Sequence, residues 1–331
     1  MIQKTLLCLI ILIWLAAIPM AAGPGQKRPI VIASFAEDGR ALANVLLMAE
    51  SLRTFGGAHS GAPVWAYVPP ALRQQMDENT MARCNALQVD LRISEAPEDA
   101  LWFYFARKVF AAARAEADAA ASAELLAWVD EDTLFLQEPA EFILAPGTRL
   151  GYRPVMHRNI SPLYDDPLDE FWSRAYTLMA IDDTTVFPMC TPADGDRIRP
   201  YFNAGCLVVR PAEGVLGRWP DYFRKLYGDP ALADMCRQDV KRQIFIHQAA
   251  LTGTFLNHLP RACMQEFSSH VNYPVFFKQL FGSRREFTDL TSVVTIRHES
   301  FFRNLQEGWE QQLRGPADRI GWLKKHLVRQ K

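Results

Sequence analysis

The sequence predicts an α/β protein built on a doubly wound, mainly parallel sheet. Four short apolar segments alternate with segments of helical periodicity before residue 130. Two aspartates follow the fourth apolar segment directly, at the edge where such sheets bind ligands. The chain has 331 residues, of which 49% are hydrophobic, and this is enough for one large domain with a sizeable core. We therefore expect one α/β unit with a ligand site after its fourth strand.

The strands and helices of the first half follow from the apolar pattern. The predicted strands are residues 30–34, 64–68, 89–93 and 125–129. Helical spacing of apolar and alanine side chains predicts helices at residues 42–52, 71–87 and about 101–123. Because strands that alternate with helices run parallel, the carboxyl ends of these strands should share one edge of the sheet.

The second half of the chain is less regular. Residues 151–199 are rich in loop-forming and aromatic residues, and the elements expected after them are a strand from Gly205, helices near 214–227 and 240–256, and a strand that ends at Ile296. No repeat, low-complexity block or linker divides the chain. Residues 28–310 are therefore predicted to form one domain, and residues 311–331 a C-terminal amphipathic helix.

Residues 1–25 are typical of a targeting segment, because a short tail with Lys4 precedes an apolar run at 5–22. The run approaches the length of about 20 residues that spans a bilayer. Both a cleaved signal peptide and a retained signal anchor fit, the latter with residues 5–22 as a membrane tether. Either one predicts the secretory route, with the folded part facing a lumen or periplasm, or secreted.

Charge and cysteine content limit the partners and the covalent structure. The net charge is -1, and both signs are scattered, so nucleic acid is not expected as a partner. One or two disulfides and buried free thiols are both open. The cysteines after the targeting segment are Cys84, Cys190, Cys206, Cys236 and Cys263.

The acidic element Asp130, Glu131 and Asp132 stands at the end of the fourth predicted strand. Because an unpaired buried carboxylate is costly, a positive charge should meet the two aspartates. Mg²⁺ and Mn²⁺ suit such oxygen ligands, and they complete their coordination with water and substrate phosphates. The alternative is a solvated turn after a strand.

The segment WVDEDTLFL resembles the DxD motif of GT-A type nucleotide-sugar transferases, especially the retaining glycogenin-like and galactosyltransferase-like group. This resemblance implies a GT-A fold and metal-dependent transfer from a nucleoside-diphosphate sugar, with a UDP-sugar expected first, to a glycan, lipid or protein acceptor. Mn²⁺ or Mg²⁺ is the implied cofactor, bound by Asp130 and Asp132 with Glu131 beside them. SVVTIRHES is similar to the strand of the family that ends in a third metal ligand, here His298.

Two further segments resemble the nucleotide-binding part of that family. RPIVIASFAEDG is similar to its first strand and base-binding loop. The resemblance thus assigns nucleotide contacts to Ser34, Phe35, Ala36 and Glu37. Lys108, in FARKVFAAARA, resembles the basic residue that faces the nucleotide, and the alternative is a solvated side chain on a helix.

The sugar-binding residues are also assigned by resemblance. YFNAGCLVVRP is similar to the segment that places an asparagine and a glycine against the donor sugar, here Asn203 and Gly205. FIHQAALTGTF matches the helix that brings a glutamine, here Gln248, to the sugar or acceptor. Asn203 and Gln248 are therefore the expected catalytic-site residues. His247 replaces the aspartate of the family, a departure that bears on sugar specificity and activity.

The motif after the histidine and the catalytic base are less well defined. The glycine and the Lys-Pro-Trp of the family are missing, and Arg297 or Arg303 is the alternative diphosphate contact. In a retaining enzyme the leaving phosphate could accept the proton of the acceptor. In an inverting enzyme Asp165, Asp166 and Asp169 are the positions to consider as base, although a polar loop also explains them.

Two other protein classes share features with this sequence. A haloacid-dehalogenase-like phosphatase also has a DxD after an apolar strand, but its motif lies on the first strand, and Leu134 here replaces a threonine or valine. The second class is a catalytically inactive GT-A domain that binds a glycan or a protein. His247 and the incomplete motif after His298 favour that alternative.

Overall fold

The computed structural model describes residues 27–275, 288–298, 311 and 313–327. The strands in chain order are β1 (Arg28–Phe35), β2 (Val64–Val68), β3 (Val89–Ile93), β4 (Ala123–Val129), β5 (Thr133–Phe135), β6 (Leu150–Pro154), β7 (Met189–Cys190), β8 (Arg197–Ile198), β9 (Phe202–Val209), β10 (Met264–Glu266), β11 (Tyr273–Pro274), β12 (Thr288–Asp289), β13 (Thr295–Arg297) and β14 (Leu313–Arg314). The α-helices are α1 (Gly39–Phe55), α2 (Pro70–Gln74), α3 (Glu78–Ala86), α4 (Ala106–Ala119), α5 (Glu170–Met179), α6 (Trp219–Tyr227), α7 (Pro230–Gln238), α8 (Val240–Leu256) and α9 (Ala317–Leu327).

A seven-stranded sheet in the order β10-β6-β9-β4-β1-β2-β3 forms the centre of the molecule. β4, β1, β2 and β3 run parallel, and β9 is antiparallel to both of its neighbours, β4 and β6. The predicted α/β class with a mainly parallel sheet is therefore confirmed. The carboxyl ends of β1 and β4 meet at one edge, as expected for parallel neighbours.

A smaller sheet stands beside this edge, with the order β11-β13-β5. Its antiparallel pair places Arg297 of β13 opposite Thr133 of β5. Since Thr133 follows Asp132 directly, this register brings Arg297 to the acidic element.

Four predicted helices differ from the observed ones. The C-terminal helix, predicted over 311–331, begins only at Ala317, because Leu313–Arg314 form β14. The segment 71–87 forms two helices, because Asp77 caps the start of α3 by accepting a hydrogen bond from the Thr80 backbone N–H. α4 begins at Ala106 and not near residue 101, because the preceding segment forms a 3-10 turn and buries Phe103 against Phe223. α6 begins at Trp219 and not near residue 214, because Leu216–Arg218 form a 3-10 turn before it.

Helix α4 packs closely on the sheet through small side chains. These buried alanines, which belong to the larger hydrophobic core, are Ala106, Ala111, Ala112, Ala115 and Ala119. Alanine favours the helix and keeps its axis near the strands. The close packing places Lys108, in the first turn of α4, beside the end of β4.

A separate hydrophobic cluster anchors the strands of the smaller sheet. It joins Leu47 of α1, Leu134 of β5, Ile296 of β13 and Leu323 of α9. The chain segments that carry Asp132 and Arg297 are thus fixed against two helices.

The cysteine alternatives are decided for the described residues. Cys84, Cys190, Cys206, Cys236 and Cys263 are all free thiols, so no disulfide joins them. Within the described ranges, every helix is too short or too polar to cross a bilayer. The predicted targeting segment 1–25, its tether 5–22 and Arg303 lie outside those ranges.

Candidate active site

The two aspartates at the end of β4 form ion pairs with two basic side chains. Asp130 is only 7% exposed, and one of its carboxylate oxygens pairs with Lys108. Its other oxygen lies 3.2 Å from Nη2 of Arg297. Asp132, which is 2% exposed, accepts hydrogen bonds from Arg297 Nε at 3.0 Å and Nη2 at 3.1 Å. We call Asp130, Asp132, Lys108 and Arg297 the β4 ion cluster.

The charges of the cluster determine the protonation of its carboxyl groups. Burial acts to raise the pKa of Asp130, but the charges of Lys108 and Arg297 outweigh burial and lower it. Burial raises the pKa of Asp132 to about 6 although Arg297 opposes the shift. Burial and the two neighbouring aspartates raise the pKa of Glu131 to about 8. Asp130 therefore loses its proton more readily than an exposed carboxyl group, whereas Glu131 and Asp132 hold theirs to higher pH.

His298 does not complete a ligand set with the aspartates. Its backbone N–H donates to the Asp132 carbonyl at 2.9 Å, but its ring is buried and Nε2 has no hydrogen-bond partner among the described residues. Burial, helped by the charges of Arg297 and Arg40, lowers the pKa of His298 to about 3. Successive side chains of an extended strand point to opposite sides, and here Arg297 takes the side of the carboxylates.

The fit of a divalent ion can be judged from this donor set. Within the described ranges, no three His, Cys, Asp or Glu side chains are grouped to hold a metal. The Asp130 and Asp132 oxygens instead contact Lys108 and Arg297. As arranged, these residues do not fit a divalent ion, and the ligand set of Asp130, Asp132 and His298 stays a prediction.

Gly205 allows β9 to approach Asp130. The Asp130 backbone N–H donates to the Gly205 carbonyl at 2.9 Å. A Cβ added at Gly205 would lie 1.9 Å from Asp130 Oδ2, so any larger residue would displace the carboxylate. The structure therefore brings Gly205 into the site, in contact with Asp130, one of the two predicted metal ligands.

The side chains of Asn203 and Gln248 form hydrogen bonds with the backbone of β9 next to this contact. Asn203 Oδ1 accepts a hydrogen bond from the Gly205 N–H at 2.8 Å. Gln248 Oε1 accepts from the Ala204 N–H at 3.2 Å, and its Nε2 donates to the Tyr201 hydroxyl at 3.3 Å. Both side chains are buried, and β9 holds them beside the cluster.

His247 is buried next to the cluster as a neutral ring. Its ring lies 4.8 Å from that of Phe105, and Nδ1 lies 2.8 Å from the Ile244 carbonyl, so Nδ1 carries the proton. Burial, followed by the charge of Lys108, lowers the pKa of His247 to about 3. It therefore does not supply the negative charge of the aspartate that it replaces.

The predicted nucleotide contacts lie at the carboxyl end of β1. Ser34 and Ala36 are fully buried, and Ser34 Oγ has no hydrogen-bond partner in the described part of the chain. Phe35 is partly buried, and exposed Glu37 forms an ion pair with Arg107. β1 is the parallel neighbour of β4, so these residues share an edge with the cluster. Their contacts with a nucleotide stay predictions.

Other residues named from the sequence are engaged elsewhere. Asp165 pairs with Arg197, and Asp169 caps α5 by accepting from the Trp172 N–H at 2.8 Å. Asp166 and Asp169 line a cavity of about 380 Å³ between the start of α5 and the start of α8. None of these contacts involves the β4 ion cluster.

Sequence reasoning missed the role of Arg297 as the partner of both aspartates. It named this arginine only as an alternative diphosphate contact. The alternation of side chains in the strand before His298 could have identified it, because a residue next to a supposed ligand faces the other way. The neutral state of His247 had no comparable signal in the sequence.

Several solved glycosyltransferase structures are similar to this chain. Galactosyltransferase LgtC, solved with donor and acceptor sugar analogs, is 16% identical over 88% of this chain and 95% of that chain, with a TM-score of 0.45. Mouse xyloside xylosyltransferase 1 is 11% identical over 84% and 99%, with a TM-score of 0.44. Core-mannan synthase A from Aspergillus fumigatus, in an Mn/GDP form, is 10% identical over 75% of each chain, with a TM-score of 0.42. A comparison with curated proteins gave no match.

Because these identities and scores are low, the assignment rests on the sequence model of a family. That model describes the Rhodobacterales glycosyltransferase domain and matches residues 32–254. The matched range includes Lys108, Asp130, Asn203 and Gln248, and it ends before Arg297. The predicted glycosyltransferase class is confirmed, and the phosphatase alternative is wrong. The chain belongs to the Rhodobacterales glycosyltransferase domain family.

Proposed function

We propose that the protein transfers a sugar from a nucleoside-diphosphate sugar to an acceptor hydroxyl at the carboxyl end of β4. The β4 ion cluster carries this proposal, because it places two partly exposed basic side chains at the edge where α/β sheets bind their ligands. Arginine and lysine are the side chains that bind phosphate oxygens with charge-assisted hydrogen bonds. A diphosphate is the part of the donor that such a site would bind.

In the proposed reaction the bond between the anomeric carbon and the donor phosphate oxygen breaks, and the acceptor oxygen bonds to that carbon. The leaving nucleoside diphosphate keeps the electron pair of the broken bond. In the retaining reaction implied by the resemblance, it also takes the proton of the acceptor hydroxyl. The sugar passes through an oxocarbenium-like transition state. Lys108 and Arg297 hold positive charge where negative charge develops on the leaving group.

Asn203 and Gln248 are the proposed sugar contacts. Each uses its amide oxygen to accept a backbone N–H of β9, which fixes the side chain before a ligand binds. Asn203 Nδ2 makes no hydrogen bond within the described part of the chain, so it can donate to a sugar hydroxyl. A donor that is already oriented loses little entropy on binding.

The finer identity of the donor and of the cofactor rests on the resemblance, and the location rests on residues 1–25. A UDP-sugar is the first donor to test, and the acceptor is a glycan, lipid or protein. Mn²⁺ or Mg²⁺ at Asp130, Asp132 and His298 stays a prediction, and it requires Arg297 to leave the aspartates. Residues 1–25 support entry into the secretory route, with residues 5–22 as a possible tether.

A turnover assay tests the proposal directly. The full chain is incubated with UDP-, GDP- and dTDP-sugars, with and without Mn²⁺, and free nucleoside diphosphate is measured by mass spectrometry. We expect release from one donor class, and a loss of at least about a hundredfold in Asp130→Asn and Lys108→Gln. Arg237→Gln is the matched control, because this exposed arginine of α7 pairs with Asp234 outside the site. If no nucleoside diphosphate is released from any of these donors, the proposal is contradicted.

A catalytically inactive glycosyltransferase domain is the second candidate function. The observation that favours it is His247, a neutral ring where the family resemblance expects a carboxylate. Binding of a nucleotide-sugar without turnover, in wild type and in His247→Asp alike, would support this candidate. Turnover by the wild-type protein would dismiss it.

A further inference from the structure

The β4 ion cluster is already balanced in charge. Two carboxylates, Asp130 and Asp132, meet two cations, Lys108 and Arg297. The cations together carry a formal charge of about +2, which equals the charge of the Mn²⁺ ion that the sequence resemblance implies. Lys108 and Arg297 thus already neutralise the two carboxylates that a bound divalent ion would otherwise neutralise.

The contacts of Arg297 leave little room for a metal ion between the aspartates. Its Nη2 lies 3.1 Å from Asp132 Oδ2 and 3.2 Å from Asp130 Oδ2, so one nitrogen bridges the two carboxylates. A metal that bridged them would occupy the same position and would repel the guanidinium. An arginine stays charged in proteins, so this repulsion cannot be relieved by loss of a proton.

The third ligand of the implied metal set is also displaced. His298 meets Asp132 through its backbone N–H, whereas its ring Nε2 is buried and makes no hydrogen bond with any described residue. The ring would have to turn toward the carboxylates, and Arg297 would have to leave them, before His298 could take part in a ligand set with Asp130 and Asp132.

The geometry points to Arg297 and Lys108 as the replacement for a divalent cation, so that the protein binds the diphosphate of its donor without a metal ion. Nε and Nη2 of Arg297 bind the aspartates, whereas Nη1 makes no hydrogen bond with any described residue. The Arg297 side chain is 23% exposed, which leaves it accessible to a ligand. A guanidinium suits phosphate because its planar donors match the phosphate oxygens.

This inference rests on the proposed function, since it names how the same site holds its donor. Asp130 and Asp132 then orient the two cations and do not bind the ligand themselves. Gly205 contributes by letting β9 approach Asp130, which fixes that carboxylate against Lys108. The residues of the DxD motif are positioning residues in this account.

Calorimetric titration of the EDTA-treated full chain with UDP, GDP, ADP and dTDP tests the inference. We expect one diphosphate to bind wild type with affinities that agree within about threefold with and without Mn²⁺. Arg297→Gln should weaken metal-free binding by about tenfold or more, because a charged hydrogen bond is lost. Added Mn²⁺ should restore binding to this variant, since the aspartates are then free to coordinate it. Arg237→Gln should behave as wild type.

The outcomes separate this inference from the proposed function. Wild-type binding that appears only with Mn²⁺ would overturn the inference and leave the proposed function intact. No binding of any diphosphate in either condition would contradict both. Lys108→Gln is the second variant if Arg297→Gln does not fold, and a circular-dichroism melt of each variant reports folding. A purely structural role for these residues would lower the melting temperature but would not create a requirement for Mn²⁺.

Discussion

Helix α4 lies beside one buried carboxyl group, Asp130, and carries another, Glu116. The pKa values of the two groups shift in opposite directions. Near its start, Lys108 pairs with Asp130, whose pKa is lowered by Lys108 and Arg297 against the effect of burial. Further along, Glu116 is 1% exposed, and its Oε2 accepts a hydrogen bond from the Gly217 N–H at 2.7 Å. Burial raises the pKa of Glu116 to about 7.

The difference shows what distinguishes a binding site from a structural contact in this protein. At Glu116 burial outweighs the backbone N–H groups and the charge of Arg218, and this carboxyl holds the 3-10 turn Leu216–Arg218 against α4. At Asp130 two basic side chains keep the buried carboxylate ionised, and an ionised buried group is costly unless the charges have a function. A site for a phosphate-bearing ligand gives them one.

The largest effect is expected from removing the shared cation. Arg297→Met leaves Asp130 and Asp132 buried and partly unpaired, so the free energy of unfolding should fall by about 3 to 5 kcal/mol. Urea denaturation followed by far-UV circular dichroism measures the change. The double variant Arg297→Met, Asp132→Asn should recover most of the loss, because it also removes one charge. Equal losses in both variants would show that the ion pairs are not responsible.

The second prediction concerns the pH dependence of stability at Glu116. Its folded-state pKa of about 7 exceeds the ordinary value of 4.5, so the folded protein binds this proton more tightly than the unfolded chain. The stability from this group is complete below about pH 4.5 and is lost as the pH rises through 7, by about 3 kcal/mol in all. Glu116→Gln should remove this slope, as measured by denaturation at a series of pH values.

Glu124→Gln is the control for the pH series. Glu124 lies on β4 but is exposed, so its replacement should leave the wild-type slope between pH 4.5 and 7 unchanged. An unchanged slope in Glu116→Gln would contradict the assignment of the shift to this residue.

The third prediction compares two glycines, each next to one of the buried carboxylates. A Cβ at Gly205 would lie 1.9 Å from Asp130 Oδ2, whereas a Cβ at Gly217 would lie 3.6 Å from Glu116 Oε2. Gly205→Ala should therefore lower stability by about 1 to 3 kcal/mol and weaken diphosphate binding. Gly217→Ala should change stability by less than about 1 kcal/mol in either direction. Thermal denaturation and calorimetry would measure both, and equal effects would contradict the account.

The smallest stability effect is expected at the exposed ion pair of Glu37 and Arg107. The Arg107 side chain is 36% exposed and that of Glu37 is 49% exposed, so solvent screens the pair and Glu37→Gln should change stability by less than about 1 kcal/mol. If Glu37 contacts the nucleotide, the same variant should weaken diphosphate binding by about two- to tenfold. Arg237→Gln serves as the reference, and unchanged affinity in Glu37→Gln would remove Glu37 from the predicted contacts.

The first four strands were predictable because each is a short apolar run next to a turn. β2 and β3 match their predicted bounds, and β4 leads directly into Asp130. The start of α4 was not predictable, because the aromatic run at 102–105 also suits a helix and only its packing against α6 decides otherwise. The antiparallel insertion of β9 between β4 and β6 depends on long-range pairing that no local pattern contains.

The sequence predicted that positive charge must lie beside the two aspartates, but it did not predict which group carries that charge. The family resemblance implied a metal ion at this position, whereas the structure places Lys108 and Arg297 there. Arg297 is separated from Asp132 by 165 positions in the chain, and only the pairing of β13 with β5 brings them together. Local patterns do not report such a register, so the sequence could not choose between a metal and an arginine.

Crystals of the full chain grown with UDP and Mn²⁺, measured at the manganese absorption edge, would test the central claim most directly. The account predicts a diphosphate beside Arg297 and Lys108 with no anomalous peak between Asp130 and Asp132. A manganese peak that bridges the two aspartates, with Arg297 turned away and His298 joined to the ion, would contradict it.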